Sequence, residues 1–297
     1  NNDEGARRRA ALFENALGPD LRALLRAEGT TDLLINADGK VWVDSVHGGR
    51  RFSGFTITPR RAETLLRLVA SSFRAPLTHK TPILDNAKLP TGERIAGTIF
   101  PVTHGPTMAI RVPYSATVDE STFTVGKSEK AAVDMSGFVG ENVHQLLDAA
   151  EAGRGIILAG ATGSGKTTLM NCLLQKLRHQ RLIVMEDTEE LVIPAEDHVR
   201  FLAVAGSVSL ARLLQLSLRY RLDRPVVGEL RTPDATAVFL EAANTGHGGG
   251  LTTLHANSAQ HALYRIEDLV RASANPMPMR SIRSAVDIVV FVEKQRK

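Results

Sequence analysis

The chain has 297 residues, which is long for one domain and enough for two domains that each bury a core. Hydrophobic residues make up 43% of it and charged residues 23%, as in ordinary soluble globular proteins, and its apolar runs are too short to cross a bilayer. The formal net charge is only +4, and the aromatic residues, 5% of the chain, do not interleave with the basic ones, so no base-stacking surface for nucleic acid is visible.

The first part of the chain is predicted to form a smaller α+β domain. Apolar positions at helical spacing over residues 6–28 predict an amphipathic helix, and two short strands around Gly39 predict a hairpin. Thr58 is the expected N-cap of a second helix. Residues 94–100 and 107–112 are predicted to form paired strands, so the helices are segregated from a small antiparallel sheet.

A polar stretch separates this part from the rest of the chain. Residues 113 to about 136 begin with Pro113, carry several Ser and Thr residues and lead into a charged segment, which is typical of a connection between domains. We therefore predict an N-terminal domain at 1–125, a linker at 126–136 and a second domain at 137–297. Strands alternate with helices in the second domain, which predicts an α/β fold with ligand chemistry at the carboxyl ends of parallel strands. Residue 1 is not methionine, which leaves open a segment upstream of it.

A phosphate-binding loop lies between a predicted buried strand at 156–159 and a predicted helix at 167–177. The sequence of this loop fits the P-loop pattern in full. Its glycines let successive backbone N–H groups point into one concavity, at the positive end of the helix. We expect Lys166 to reach the β- and γ-phosphates of ATP and the hydroxyl of Thr167 to bind Mg²⁺. The predicted nucleotide-binding residues are Gly160, Ala161, Thr162, Gly163, Ser164, Gly165, Lys166, Thr167 and Thr168.

The single cysteine, Cys172, falls in the apolar pattern of the helix after the P-loop. Having one cysteine excludes an intramolecular disulfide and a multi-cysteine zinc site, and it fits a reducing compartment. We expect Cys172 to be a small buried hydrophobic residue.

Carboxylates follow two further predicted strands. Glu229 comes directly after the strand at 225–227, where a hydrolase needs a carboxylate to orient water. Residues 186–190 offer four more carboxylates after the strand at 182–185, with an acidic surface turn as the alternative. His247 and His255 lie in a glycine-rich stretch without further ligands at zinc spacing, so hydrogen bonding near phosphate fits them better than metal binding.

Four stretches together resemble the Walker A, Asp box, Walker B and His box of the secretion ATPases. They are residues 160–168, 186–190, 228–231 and 246–257. That superfamily drives type II secretion, type IV pili and type IV secretion with conjugation. The details are most similar to the conjugative, TrbB-like branch, since type II enzymes typically carry a four-cysteine zinc insertion and pilus retraction motors an Asp box closer to Glu-Asp-Pro.

The resemblance implies a RecA-like P-loop NTPase fold for the second domain and catalytic roles for several residues beside Lys166. Glu229 would activate or orient the attacking water, while Glu186 and Glu190 would support Mg²⁺ and that water. His255, and after it His247, would sense the γ-phosphate.

Two arginines on neighbouring predicted strands, Arg94 and Arg111, resemble the N-terminal-domain arginines that approach the phosphates when the two domains close. Solvent-facing strand residues are the alternative for both. The resemblance also implies a homo-hexamer with nucleotide between the two domains and residues 113–136 as the hinge.

The predicted function is an ATP-hydrolysing hexameric motor of a conjugative or type IV secretion system, powering pilus assembly, substrate transfer or both. We expect it at the cytoplasmic face of the inner membrane, with inner-membrane channel components as partners. The alternatives are a type IV pilus or type II secretion ATPase, a DNA-stimulated translocase, and an adaptor that binds ATP but hardly hydrolyses it. Basic clusters at 7–9, 60–61 and 293–297 leave peripheral membrane contact and direct nucleic-acid binding open.

Overall fold

The computed structural model describes residues 2–73, 76–88, 92–112 and 143–293. They form two six-stranded sheets, one built from residues before 113 and one from residues after 142. The predicted linker at 126–136 lies outside the described residues, and the predicted domain boundaries stay a prediction. No helix in the described ranges is both long and apolar enough to cross a membrane.

The first sheet is antiparallel throughout. Its strands are β1 (Thr30–Ile35), β2 (Lys40–Ser45), β3 (Arg51–Thr56), β4 (Ile83–Lys88), β5 (Arg94–Thr98) and β6 (Thr107–Arg111), in the spatial order β3-β2-β1-β6-β5-β4. Helices α1 (Asn2–Arg26) and α2 (Pro59–Ser72) share one apolar core with this sheet. The predicted α+β architecture is therefore confirmed.

Local sequence signals account for the shape of this part. Gly39 turns the β1–β2 hairpin with a positive φ of 81°, and a Cβ there would overlap the carbonyl oxygen of Ile57. The Thr58 hydroxyl accepts a hydrogen bond from the backbone N–H of Arg61 and caps α2, as predicted. The first helix is kinked at Gly18, whose φ of 71° interrupts the predicted continuous helix.

The second sheet is parallel throughout and carries helices between its strands. In chain order its elements are α3 (Val143–Glu151), β7 (Ile156–Ala159), α4 (Lys166–Lys176), β8 (Leu182–Glu186), β9 (His198–Leu202), α5 (Leu210–Ser217), β10 (Arg224–Val227), α6 (Pro233–Asn244), β11 (Leu251–Leu254), α7 (Ala259–Arg271), α8 (Met279–Ala285) and β12 (Ile288–Phe291). The strand order is β12-β7-β11-β10-β8-β9. The strands β7, β8, β10 and β11 are buried along their whole length, which confirms the predicted α/β fold.

The expectation that Cys172 is buried is wrong. In α4 the residues facing the core are Met170, Leu173 and Leu174, whereas Cys172 is exposed. A step of 100° per residue places position 172 on the opposite side of the helix from position 170, so an apolar neighbourhood in sequence did not mean a buried side chain.

A buried polar cluster joins the two sheets. The fully buried Arg181 forms an ion pair with Asp197 and donates hydrogen bonds to Asn36 Oδ1 (3.0 Å) and to the carbonyl of Tyr220 (2.8 Å). Asn36 Nδ2 in turn donates to Asp197 Oδ1 (3.0 Å), and Arg50 Nε lies 2.6 Å from Asp197 Oδ2. Burial lowers the pKa of Arg181, and the Asp197 carboxylate opposes that shift. The hairpin of the antiparallel sheet is thereby fixed against the parallel sheet.

Candidate active site

The P-loop connects β7 directly to α4 and depends on its glycines. Gly163 and Gly165 have positive φ angles of 73° and 104°, which side chains rarely allow. A Cβ on Gly160 would overlap the carbonyl oxygen of Val292 and lie 2.6 Å from Ser164 Oγ. Gly165 is the N-cap of α4 and provides no side-chain cap, so the first backbone N–H groups of that helix face the loop without a side-chain acceptor.

Lys166 is folded against its own loop. Its Nζ donates to the carbonyl oxygens of Gly160 (2.9 Å) and Ala161 (2.8 Å). Burial lowers the pKa of the Lys166 ammonium, and the nearby Glu229 carboxylate opposes this. The ammonium is therefore held where an incoming anion would compete with two neutral carbonyl groups for it.

A cavity of about 260 Å³ lies beside the P-loop at the carboxyl edge of the parallel sheet. It brings together residues that follow β7, β8, β10 and β11, at the carboxyl ends of the strands, where open α/β sheets bind their ligands. The predicted residues that line it are Thr162, Gly163, Lys166, Thr167, Glu186, Glu190, Glu229 and His255. The other predicted nucleotide-binding residues, Gly160, Ala161, Ser164, Gly165 and Thr168, form the rest of the loop and the start of α4.

The carboxylate of Glu229 lies between the side chains of Arg231 and His255. Its Oε2 lies 2.7 Å from Arg231 Nη2, and its Oε1 lies 3.1 Å from His255 Nε2. The Glu229 carboxylate raises the pKa of Arg231, first by the hydrogen bond and then by its charge. The contact of Arg231 with Glu229 was not predicted from the sequence, although the two residues are only two positions apart.

Glu186 organises the acidic loop after β8. Its side chain is only 2% exposed, and its Oε1 accepts hydrogen bonds from the backbone N–H groups of Glu190 and Leu191, both at 2.9 Å. Its Oε2 lies 3.2 Å from Arg200 Nε on β9. Arg200 also forms an ion pair with Glu189. Its role was not predicted, because nothing in the sequence links Arg200 to this loop. The carboxylate of Glu186 is thus engaged by protein partners, and its role toward Mg²⁺ stays a prediction.

Arg94 and Arg111 lie outside the cavity. They face each other across the β5–β6 pair, both are exposed, and Arg111 Nε lies 3.0 Å from Asp32 Oδ1. His247 also does not line the cavity. Burial lowers the pKa of His247, and the positive charge of Arg111 lowers it further, so these two residues are electrostatic neighbours. The predicted contacts of these side chains with phosphate stay predictions.

The sequence profile of the type II/IV secretion system protein family matches residues 55–295. The chain belongs to this family. It is 31% identical over 289 residues to the conjugal transfer protein TrbB of Rhizobium radiobacter, covering 96% of the chain and 86% of that protein. It is 30% identical over 305 residues to the type IV secretion system protein PtlH homolog of Bordetella bronchiseptica, covering 93% of the chain and 88% of that protein.

A solved relative covers nearly the whole fold. The crystal structure of the VirB11 ATPase from the Brucella suis type IV secretion system, in complex with sulphate, superimposes with a TM-score of 0.81 at 28% identity, covering 97% of this chain and 91% of that one. Together with the family match, these relatives confirm the predicted RecA-like fold, the conjugative TrbB-like branch and ATP hydrolysis as the activity. The chain is a type IV secretion ATPase.

Replacing Gly160 with alanine tests the fit of the P-loop. The added Cβ would displace Val292 or Ser164 and tilt the loop's N–H groups away from phosphate. We expect Gly160→Ala to weaken the binding of a fluorescent ADP analogue at least about tenfold, or about 1.4 kcal/mol. Gly248→Ala is the matched control, since a Cβ there meets nothing within 4 Å, and it should bind as the wild type does. Equal affinities for the two variants would contradict this account of the loop.

Proposed function

We propose that the cavity beside the P-loop is the site of ATP hydrolysis and that Glu229 orients the attacking water. The observation that carries this proposal is the convergence of Lys166, Thr167 and Glu229 on one cavity at the end of the parallel sheet. A phosphate-binding lysine, a hydroxyl for the metal and a carboxylate for water are the parts that P-loop hydrolases use for phosphoryl transfer.

Phosphate binding would draw on the loop and on Lys166. The backbone N–H groups at the start of α4 would donate hydrogen bonds to the β- and γ-phosphates, and the positive end of the helix dipole would stabilise the phosphate charge. The Lys166 ammonium would leave the carbonyl oxygens of Gly160 and Ala161 for phosphate oxygens, which form stronger, charge-assisted hydrogen bonds.

The residues of the cavity fit Mg²⁺ held jointly with the nucleotide. Within the described ranges no group of three His, Cys, Asp or Glu residues could hold a metal ion. Mg²⁺ in nucleotide sites typically takes only one or two protein oxygens besides phosphate. The Thr167 hydroxyl and the exposed carboxylates of Asp187 and Glu190 meet that need, whereas the oxygens of Glu186 are engaged. When bound, Mg²⁺ would neutralise charge that develops on the phosphate oxygens.

Glu229 and His255 would act at the far end of the phosphate chain. The Glu229 carboxylate would accept a hydrogen bond from the attacking water, and Arg231 would hold that carboxylate in place. His255 would donate from Nε2 to the γ-phosphate and would then no longer contact Glu229. This exchange of partners would let the site distinguish ATP from ADP.

The proposal extends to a homo-hexameric motor at the cytoplasmic face of the inner membrane, in contact with inner-membrane channel components. It is supported by the names of relatives that serve conjugal transfer and type IV secretion. Arg94 and Arg111 would reach the phosphates only after movement of the antiparallel sheet or from a neighbouring chain.

Replacing Glu229 with glutamine tests its role in hydrolysis. We expect Glu229→Gln to bind Mg-ATP but to lower kcat by about 10²–10⁴, because the amide is a poor acceptor for the water proton. Glu189→Gln is the matched control, since Glu189 lies in the same acidic loop region but pairs with Arg200 and His104 outside the cavity. It should change kcat less than threefold or so. An unchanged turnover in Glu229→Gln would favour the adaptor alternative.

Light scattering of the wild type with Mg-ATP tests the ring. We expect a particle with the mass of six chains, because the family resemblance implies nucleotide bound where domains of a hexamer meet. Lys166→Ala, which should lose turnover, shows whether assembly needs bound nucleotide. A wild-type monomer that binds ATP would contradict the hexamer.

A further inference from the structure

A second cavity adjoins the nucleotide cavity. Its volume is about 310 Å³, and its walls are Glu229, Leu230, Arg231, Leu254, His255 and Arg265. Glu229, Arg231 and His255 line both cavities, so the two meet at the carboxylate assigned to the attacking water. We call the second one the side cavity.

The two cavities differ in the sign of their charge. The nucleotide cavity is lined by the cations Lys166 and Arg231 against four carboxylates, which are Glu186, Asp187, Glu190 and Glu229. The side cavity is lined by two guanidinium groups, those of Arg231 and Arg265, against the single carboxylate of Glu229. An anion released beside Glu229 is therefore attracted toward the side cavity, at distances where charges in a protein are only partly screened.

Arg265 is the basic residue that α7 contributes to the side cavity. It is exposed, and it makes no hydrogen bond or ion pair within the part of the chain that the structure describes. Its helix is anchored by the buried side chains of Ala262, Ile266 and Leu269, so the backbone of Arg265 has a fixed position. By contrast, Arg271 on the same helix is paired with Glu267 at 2.7 Å. A guanidinium without a carboxylate partner is available to an anionic ligand.

We propose that the side cavity is a binding site for inorganic phosphate on its way out of the active site. This inference rests on the proposed function. In hydrolysis the water oxygen bonds to the γ-phosphorus as the bond to the ADP oxygen breaks, and the electron pair of that bond stays on the ADP oxygen. One water proton passes by way of the Glu229 carboxylate to solvent, which leaves ADP and inorganic phosphate. Arg265 donates to that phosphate, and Arg231 does so with N–H groups that its contact with Glu229 leaves free, since a guanidinium has five. The ADP remains on the P-loop while phosphate leaves past Glu229.

The test is a calorimetric titration of inorganic phosphate into the protein saturated with Mg-ADP, with ATP turnover measured on the same samples. We expect Arg265→Gln to weaken phosphate binding about tenfold, as the loss of a charge-assisted hydrogen bond does, and to leave the affinity for Mg-ADP unchanged. Arg271→Gln is the control on the same helix and should bind phosphate as the wild type does.

Three outcomes decide the matter. Weaker phosphate binding in Arg265→Gln alone supports phosphate binding in the side cavity, whereas a wild type that fails to hydrolyse ATP would overturn the proposed function and the release role, but not the binding. Normal turnover together with equal phosphate affinity in both variants overturns the site and leaves the proposed function standing. A smaller particle mass for Arg265→Gln with unchanged phosphate affinity would assign Arg265 to a contact between chains and would also overturn it.

Discussion

The chemistry of this chain depends on the register of its parallel strands. Ala159 at the end of β7 pairs with Leu254 at the end of β11, and Met185 of β8 pairs with Val227 of β10. The residues that follow these strands are therefore brought to one edge of the sheet, where they line a single cavity. Because these strands are buried on both faces, a shift in register would bring unmatched side chains into two packed cores, which fixes the geometry of the site.

The antiparallel sheet is tied to the parallel sheet by polar contacts at both ends of the parallel strands. The buried Arg181–Asp197 pair, with Asn36 between them, holds the amino-terminal side of the parallel sheet, and losing one partner of such a pair costs about 3–5 kcal/mol in other proteins. On the opposite side, His104 Nε2 lies 2.8 Å from Glu189, and Glu189 shares Arg200 with Glu186. A movement of the antiparallel sheet would therefore displace the acidic loop at 186–190 beside the nucleotide cavity.

The features that were predicted correctly from the sequence are those that short segments determine by themselves. The P-loop, the hairpin at Gly39 and the Thr58 cap each rest on neighbouring residues, and each is found in the structure. The alternation of apolar strands with helices likewise predicted the parallel sheet and the edge at which Glu229 and His255 meet. Those features needed no knowledge of distant contacts.

The features that sequence reasoning missed depend on residues brought together by the fold. Arg200 reaches Glu186 only because β9 lies beside β8, and Arg181 meets Asn36 only where the two sheets touch. The burial of Cys172 was predicted wrongly because an apolar neighbourhood does not reveal which side of a helix faces the core. The roles of Arg94 and Arg111 stay open for the same reason, since they depend on an arrangement of domains or chains with nucleotide bound.

A crystal structure of the protein with Mg²⁺ and a non-hydrolysable ATP analogue would test directly whether the cavity beside the P-loop is the site of ATP hydrolysis. We expect Lys166 Nζ to leave the carbonyl oxygens of Gly160 and Ala161 and to contact the phosphates, with the Thr167 hydroxyl on the metal. Glu229 should then lie one water molecule away from the γ-phosphorus. A nucleotide bound elsewhere, or one bound with Lys166 still on its own loop and Glu229 turned away from the γ-phosphate, would contradict this assignment.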